Sequence, residues 1–300
     1  MFAAILSDET AVTWGNPSLE MTTYRSFVAL HLHCVQQIQA TFSAFAAIRS
    51  DGSVVTWGRP DSGGDSSAVQ GELQSVQSIQ ATAKAFAAIC SDGSVVTWGS
   101  AISGGDSYAV QHQLRNVQGI QATQRTFAAI CSDGSVVAWG NPTDGGDSSA
   151  VQDELRSVHQ IQATAKAFTA IRKDGSLVTW GHPEYGGDSS PVQHRLRNVQ
   201  SIQATQSAFA AICSDGSVVA WGLQALVETA MQFNISFEMC RAFRPHREHL
   251  LRSVQMDRLW RGAIQQMVAT ALQSRMNSGV CTRFRPQRKH LLRSGKTGQS

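Results

Sequence analysis

The chain has 300 residues, of which 42% are hydrophobic and 16% charged, and carries a net charge of +3. That length holds one large domain or two ordinary ones. No apolar run approaches the ~18 residues that a membrane-spanning helix needs, and the opening MFAAILSDET has neither a basic leading region nor a long apolar core, so no signal peptide is expected. The charge is divided unevenly. Residues 1–222 hold 12 Lys and Arg against 18 Asp and Glu, whereas residues 223–300 hold 13 against 4.

In chain order, residues 2–41 read as a worn first copy of a repeat, with Asp8-Glu9 at its turn and the register recovered at Val35 in VQQIQAT. Good copies follow at about 42–82, 83–123, 124–164 and 165–205, and a sixth begins at 206 and stops after Trp221-Gly222. The Trp-Gly pairs at Trp14, Trp57, Trp98, Trp139, Trp180 and Trp221 set the period, with spacings of 43, 41, 41, 41 and 41. A fixed period of this size signals a solenoid, propeller or array.

The copy FAAICSDGSVVTWG, Phe86–Gly99, is a β-hairpin in sequence. Asp92-Gly93 predicts a two-residue type I′ turn, which pairs Cys90 with Val95, Ile89 with Val96 and Phe86 with Gly99. One face then carries Ala87, Ile89, Val96 and Trp98, and the other Phe86, Ala88, Val95 and Thr97. Both are largely apolar, so the sheet has to be covered on both sides. Beyond the hairpin come a variable loop, Gly104-Gly105-Asp106-Ser107, an expected short strand over Tyr108–Leu114, and an alternating strand over Val117–Ala122. Four strands per 41 residues match one propeller blade. Helical repeats are excluded because no apolar 3.6-residue periodicity is sustained.

The unit V-x-x-I-x-A-T, then F-A-A-I-x-S-D-G-S-V-V-T-W-G, then G-G-D-S resembles the repeat of the regulator of chromosome condensation (RCC) family, most specifically in D-G-x-V-x-x-W-G. The resemblance covers residues 1–222. It departs where the family has His-Ser, here pairs such as Ala85-Phe86, and where the family has GQLG, here GGDS. The resemblance implies an all-β propeller, here incomplete, with five to six recognisable blades. The family shares a scaffold rather than an activity.

Residues 223–300 are expected to be a basic, non-propeller tail, disordered or loosely helical, with a chance amphipathic pattern over Leu250–Met276. CRAFRPHREHLLRS at 240–253 recurs as CTRFRPQRKHLLRS at 281–294, again offset by 41. Synonymous codons exist at every step for reading Gly146–Gly175 one base late to give Ala269–Gly298, and likewise Gly104–Gln118 to give Val227–Arg241. This reading makes the tail a frame-shifted copy of the repeat, so its basic residues need imply neither nucleic acid nor an anionic surface.

No catalytic, cofactor-binding or metal-ligating residue is expected. Gly-Asp-Ser recurs at Gly64, Gly105, Gly146 and Gly187, and equal copies of a nucleophile motif argue for a turn rather than an enzyme. His31, His33, His112, His159, His182 and His194 sit at unmatched repeat positions and read as exposed polar residues. Cys90, Cys131 and Cys213 share a position with Arg49 and Arg172, which predicts an exposed site holding free thiols. The leading expectation is a non-enzymatic scaffold that binds a protein partner through blade loops, with no small-molecule substrate, in the cytoplasm or alternatively the nucleus. The alternatives are guanine-nucleotide exchange on a small GTPase, by resemblance, and a frame-shifted product without retained function.

Overall fold

The computed structural model describes residues 2–14 and 32–223. The expectations for the tail, and those for residues 15–31 including His31, lie outside the described residues. Every strand of the described chain belongs to an antiparallel sheet of neighbouring strands, with no crossover. A two-stranded sheet comes first, β1 (Phe2–Ile5) with β2 (Ala11–Trp14). Five three-stranded sheets follow. They are β3 (Val35–Ala40), β4 (Ala44–Arg49) and β5 (Val54–Gly58); β6 (Val76–Ala81), β7 (Ala85–Cys90) and β8 (Val95–Gly99); β9 (Val117–Ala122), β10 (Thr126–Cys131) and β11 (Val136–Gly140). The last two are β12 (Val158–Ala163), β13 (Ala167–Arg172) and β14 (Leu177–Gly181), then β15 (Val199–Ala204), β16 (Ala208–Cys213) and β17 (Val218–Gly222).

The hairpin is present, but its register is one residue away from the expected one. Phe86 pairs with Trp98 and Ile89 with Val95. The loop has three residues, Ser91-Asp92-Gly93, closed by the Cys90 N–H to the Ser94 carbonyl at 3.0 Å and the Gly93 N–H to the Cys90 carbonyl at 2.9 Å. Gly93 has φ +78°, while Asp92 is not in the left-handed region that a type I′ turn demands of it. The Asp92 carboxylate decides the matter. It accepts the Ser94 backbone N–H at 2.8 Å and hydroxyl at 2.6 Å, which favours the three-residue turn. A one-residue slip exchanges the faces of one strand relative to the other. Phe86 and Trp98 therefore share a face and stack, with ring centroids 5.2 Å apart, and the pair recurs in the other three-stranded sheets.

The expectation of two buried faces holds in the new register. Phe86, Ala88, Val96 and Trp98 pack on Ala44, Ala46, Ile48 and Val54 of the preceding sheet. Ala85, Ala87, Ile89 and Val95 pack on Val117, Ile120, Phe127 and Trp139 of the following sheet. The Trp side chains at 57, 98, 139, 180 and 221 are buried between sheets.

The expected strand over Tyr108–Leu114 is instead a 3-10 turn, Tyr108–Val110, with Leu114 buried beyond it. Gln111 explains the difference. Its side-chain amide donates to the Val95 carbonyl at 3.0 Å, and its Oε1 accepts from Ser107 at 2.9 Å. Gln70 and Gln152 repeat the arrangement on Val54 and Val136. A side chain thus occupies an acceptor that a fourth strand would have used.

The cysteine position is buried, which corrects the expectation of an exposed site: Cys90, Cys131 and Cys213 are 5%, 4% and 2% exposed. Burial pushes the Cys90 thiol above its ordinary pKa. Arginine is accommodated at the same position because its long stem reaches back to the surface, where Arg49 meets Asp51 at 2.7 Å.

Candidate binding face

The turns joining the first and second strand of each three-stranded sheet meet around an opening of about 410 Å³, lined by Ala-Thr-x positions from five successive sheets. Backbone hydrogen bonds link these turns in sequence. Phe42 N–H donates to the Ala83 carbonyl, Ala83 to Gln124, Gln124 to Ala165 and Ala165 to Gln206, at 2.8–3.0 Å. The sheets are therefore arranged about an axis, with the V-x-x-I-x-A strands innermost. At the opposite end the Gly93 carbonyl accepts from the Val117 N–H at 2.9 Å, and Gly52, Gly134 and Gly175 do the same toward Val76, Val158 and Val199. Near the outer strands, Trp98, Trp139, Trp180 and Trp221 each donate an indole N–H across the boundary, to the carbonyls of Gly63, Gly104, Gly145 and Gly186 at 3.0 Å.

The variable loops lie on the same end as the opening. Each begins with an extended residue, Arg59, Ser100, Asn141 or His182, at φ −71° to −68° and ψ 121° to 128°. Each then makes one 3-10 turn and ends on a glycine at φ 88° to 100°. The backbone is thus nearly constant while the side chains change: Arg59-Pro60-Asp61, Ser100-Ala101-Ile102, Asn141-Pro142-Thr143, His182-Pro183-Glu184. The second and third residues of each tip are exposed, and the fourth turns inward. A threonine in the neighbouring turn anchors the loop. Thr82 Oγ1 donates to the Ser103 carbonyl at 2.9 Å and accepts from the Ala85 N–H, and Thr41 and Thr164 act likewise on Ser62 and Tyr185.

Lys84, Arg125 and Lys166 occupy one repeat position beside the opening. Arg125 pairs at 2.7 Å with Asp144, which is 1% exposed, and Lys166 lies over the Tyr185 ring at 4.9 Å. Arg59 and Asp61 form an exposed pair at 2.6 Å. Phe42, at the rim, is 72% exposed, and Ile102 and Tyr108 are 68% and 89% exposed.

The Gly-Asp-Ser motifs are structural. Ser66, Ser107, Ser148 and Ser189 are buried, each with its hydroxyl on a glutamine Oε1 at 2.9–3.0 Å. Asp65 and its counterparts accept the N–H two residues on, closing the turn. Among the described residues no group of three His, Cys, Asp or Glu is placed to hold a metal ion. His33, His112, His159 and His194 are exposed. His182 is partly buried, edge-on to Tyr185 at 5.2 Å, with an Nδ1 that has no hydrogen-bond partner among the described residues. The anchoring threonine is the structural residue of this face that pattern reading passed over. Its signal was present in the recurring Thr41, Thr82 and Thr164.

Repeated three-stranded sheets, each packed face to face on its neighbours and set about an axis, define the architecture. The described chain is built of β-propeller blades, each a three-stranded antiparallel sheet. No protein-family model matches it, and no curated protein matches it. Among solved structures it is similar to human WBSCR16 at 16% identity and TM-score 0.44, over 63% of this chain and 61% of that one. It is also similar to Prp20p of Saccharomyces cerevisiae, described with its binding to Gsp1p and histones, at 17% identity and TM-score 0.43, over 64% and 58%. The CRINKLY ectodomain of the Arabidopsis thaliana receptor kinase ACR4 gives 17% identity and TM-score 0.40, over 63% and 65%. The chain thus spans about three fifths of the length of these structures.

Proposed function

We propose that this chain is a non-enzymatic scaffold that binds a protein partner through the loop face around the central opening. The observation that carries the reading is the constancy of the four loop backbones beneath changing tips. Loops on a rigid frame are where recognition residues concentrate, and here the frame is fixed by glycines, threonine anchors and Trp-to-carbonyl bonds while Asp61, Ile102, Thr143 and Glu184 differ. A buried serine in every Gly-Asp-Ser leaves the motif unsuited to nucleophilic attack.

The test compares proteins captured from cells by the unaltered chain with those captured by two variants. One replaces Asp61, Ile102, Thr143 and Glu184 with alanine. The other replaces the exposed Glu72, His112, Glu154 and His194, beyond the opposite end of the blades. A partner lost with the first set and kept with the second supports the reading. A partner lost only with the second set, or with neither, overturns it. Guanine-nucleotide exchange is the narrower form of the same reading, and a nucleotide-release assay on captured GTPases separates exchange from docking alone.

A further inference from the structure

One sector of the loop face departs from the repeat. Away from the two ends of the described chain, its exposed large hydrophobic side chains are Phe42, Ile102 and Tyr108. The positions equivalent to Ile102 carry Asp61, Thr143 and Glu184, and those equivalent to Phe42 carry Ala83, Gln124, Ala165 and Gln206. Backbone bonds bring Phe42 and the Ile102 loop to one place. The Phe42 N–H donates to the Ala83 carbonyl at 3.0 Å. The next residue, Lys84, accepts the Ser100 N–H on its carbonyl at 2.9 Å, where the loop bearing Ile102 begins. Lys84 therefore joins the turn beside Phe42 to that loop.

Lys84 is also the cation left over in its row. Arg125, one blade on, is held by Asp144, and Lys166 lies over the Tyr185 ring. Lys84 is exposed and forms no ion pair among the described residues. Asp61, in the preceding loop, is taken by two bonds from Arg59. The opening next to Phe42 is walled by Ala40, Ala81, Ala122 and Ala163. The hydroxyls of Thr41, Thr82 and Thr164 are turned to loop carbonyls instead. An apolar recess with a free cation at its edge fits an apolar side chain that neighbours a carboxylate. A uniform polyanion fits poorly, because residues 1–222 hold 18 acidic against 12 basic residues.

We propose that this sector docks a protein segment in which an aromatic or aliphatic residue stands beside an aspartate or glutamate. The apolar side chain enters the opening against Phe42, the carboxylate meets Lys84, and Ile102 covers the outer edge of the contact. An apolar anchor in a recess carries most of the energy of an interface, while the contacts around it carry little. The proposal rests on the loop face being the docking face. It adds which blades recognise the partner and what chemistry they select.

A random peptide library displayed on phage and selected on the purified full chain tests this. Enriched peptides are expected to pair an aromatic or aliphatic residue with a neighbouring acidic one. Their binding is expected to fall at least about tenfold with Lys84→Glu, Phe42→Ala or Ile102→Asp, and to stay within about twofold with Thr143→Ala or Glu184→Ala. These five side chains are exposed, so a melting temperature equal to that of the unaltered chain shows that each variant keeps its fold. Where Ile102→Asp lowers it, Ile102→Ala gives the same contrast. No enrichment, enriched peptides without an acidic residue, or binding indifferent to Lys84 overturns the proposal. Acidic peptides that depend on Thr143 and Glu184 instead also overturn it, but leave the loop face as the docking face. Peptides lost only when Glu72, His112, Glu154 and His194 are replaced overturn both.

Discussion

Trp98 donates its indole N–H to the carbonyl of Gly63, 35 residues earlier and across a blade boundary, at 3.0 Å. The same donor–acceptor pair recurs at Trp139 and Gly104, Trp180 and Gly145, and Trp221 and Gly186. It ties an outer strand to the preceding loop, while the Gly63 backbone lies against the Phe86 ring that stacks on Trp98. A local motif, Trp-Gly and Gly-Gly in alternation, thus produces a long-range weld. Trp57 occupies the same place in its blade, but its indole nitrogen is buried without a partner among the described residues.

The glycine side of this weld gives the first prediction. Gly104 has φ +88°, and a Cβ there would stand 2.6 Å from Phe127 Cδ2, a ring that is 0% exposed and cannot yield. Gly104→Ala therefore meets both left-handed strain and overpacking, together about 2–5 kcal/mol. Gly71→Ala, where a Cβ meets nothing within 4 Å, is the control and is expected to be nearly neutral. Chemical denaturation of the two variants checks the difference.

Thr169 is the one departure from alanine at its repeat position, where Ala46, Ala87, Ala128 and Ala210 stand in other blades. It is 0% exposed, and its hydroxyl has no hydrogen-bond partner among the described residues. A buried unpaired hydroxyl costs about 1–3 kcal/mol. Thr169→Val keeps the shape and removes the hydroxyl, so it is expected to stabilise the chain by about 1 kcal/mol. A midpoint of denaturation that falls instead would show the hydroxyl to be better satisfied than this.

The period, three of the four expected strands of each repeat, the two apolar faces and the blade architecture were legible in the sequence, because Trp-Gly spacing and alternation are local signals. The register of the hairpin was not. Asp92-Gly93 fits either a two- or a three-residue loop, and the choice fell to the Asp92 carboxylate and its two bonds to Ser94. The missing fourth strand has a similar origin, since Tyr108–Leu114 has strand-like composition but Gln111 occupies the Val95 carbonyl. The cysteine site misled because tolerance of Arg49 and Arg172 reflects stem length, not exposure at the Cβ. The loop face was half legible. Variation located its tips, whereas the threonine anchors that hold them emerge only from contacts 21 residues apart.

Two ion pairs of similar length should differ in weight. Arg125 meets Asp144 at 2.7 Å with the carboxylate 1% exposed, while Arg59 and Asp61 meet at 2.6 Å with both side chains more than half exposed. Arg125→Ala strands a buried charge and is expected to cost about 2–4 kcal/mol. Arg59→Ala is expected to change stability little, because water and salt screen an exposed pair. Thermal melts of both variants at low and high salt check this. A salt-sensitive and equal loss in the two would place Asp144 in contact with solvent.

The Asp-Gly-Ser turns give a pH signature. The Ser94 hydroxyl, and then its backbone N–H, hold the Asp92 carboxyl below the ordinary carboxylate range. Asp133 and Asp174 are lowered in the same way by Ser135 and Ser176, and Asp51 by Ser53 with Arg49. A carboxyl whose pKa is lower in the folded state contributes stability that is fully present above its unfolded value, about 3.9, and is lost as pH falls through the folded one. The chain is therefore expected to keep its melting temperature from neutrality down to about pH 5 and to lose it steeply below pH 4. Changing Ser53, Ser94, Ser135 and Ser176 together to alanine removes the donor hydroxyls, so the neutral-pH melting temperature should fall and the acid slope should flatten. Melting curves from pH 7 to pH 2.5 read both effects. An unchanged slope in the fourfold variant would assign the acid sensitivity to other carboxylates.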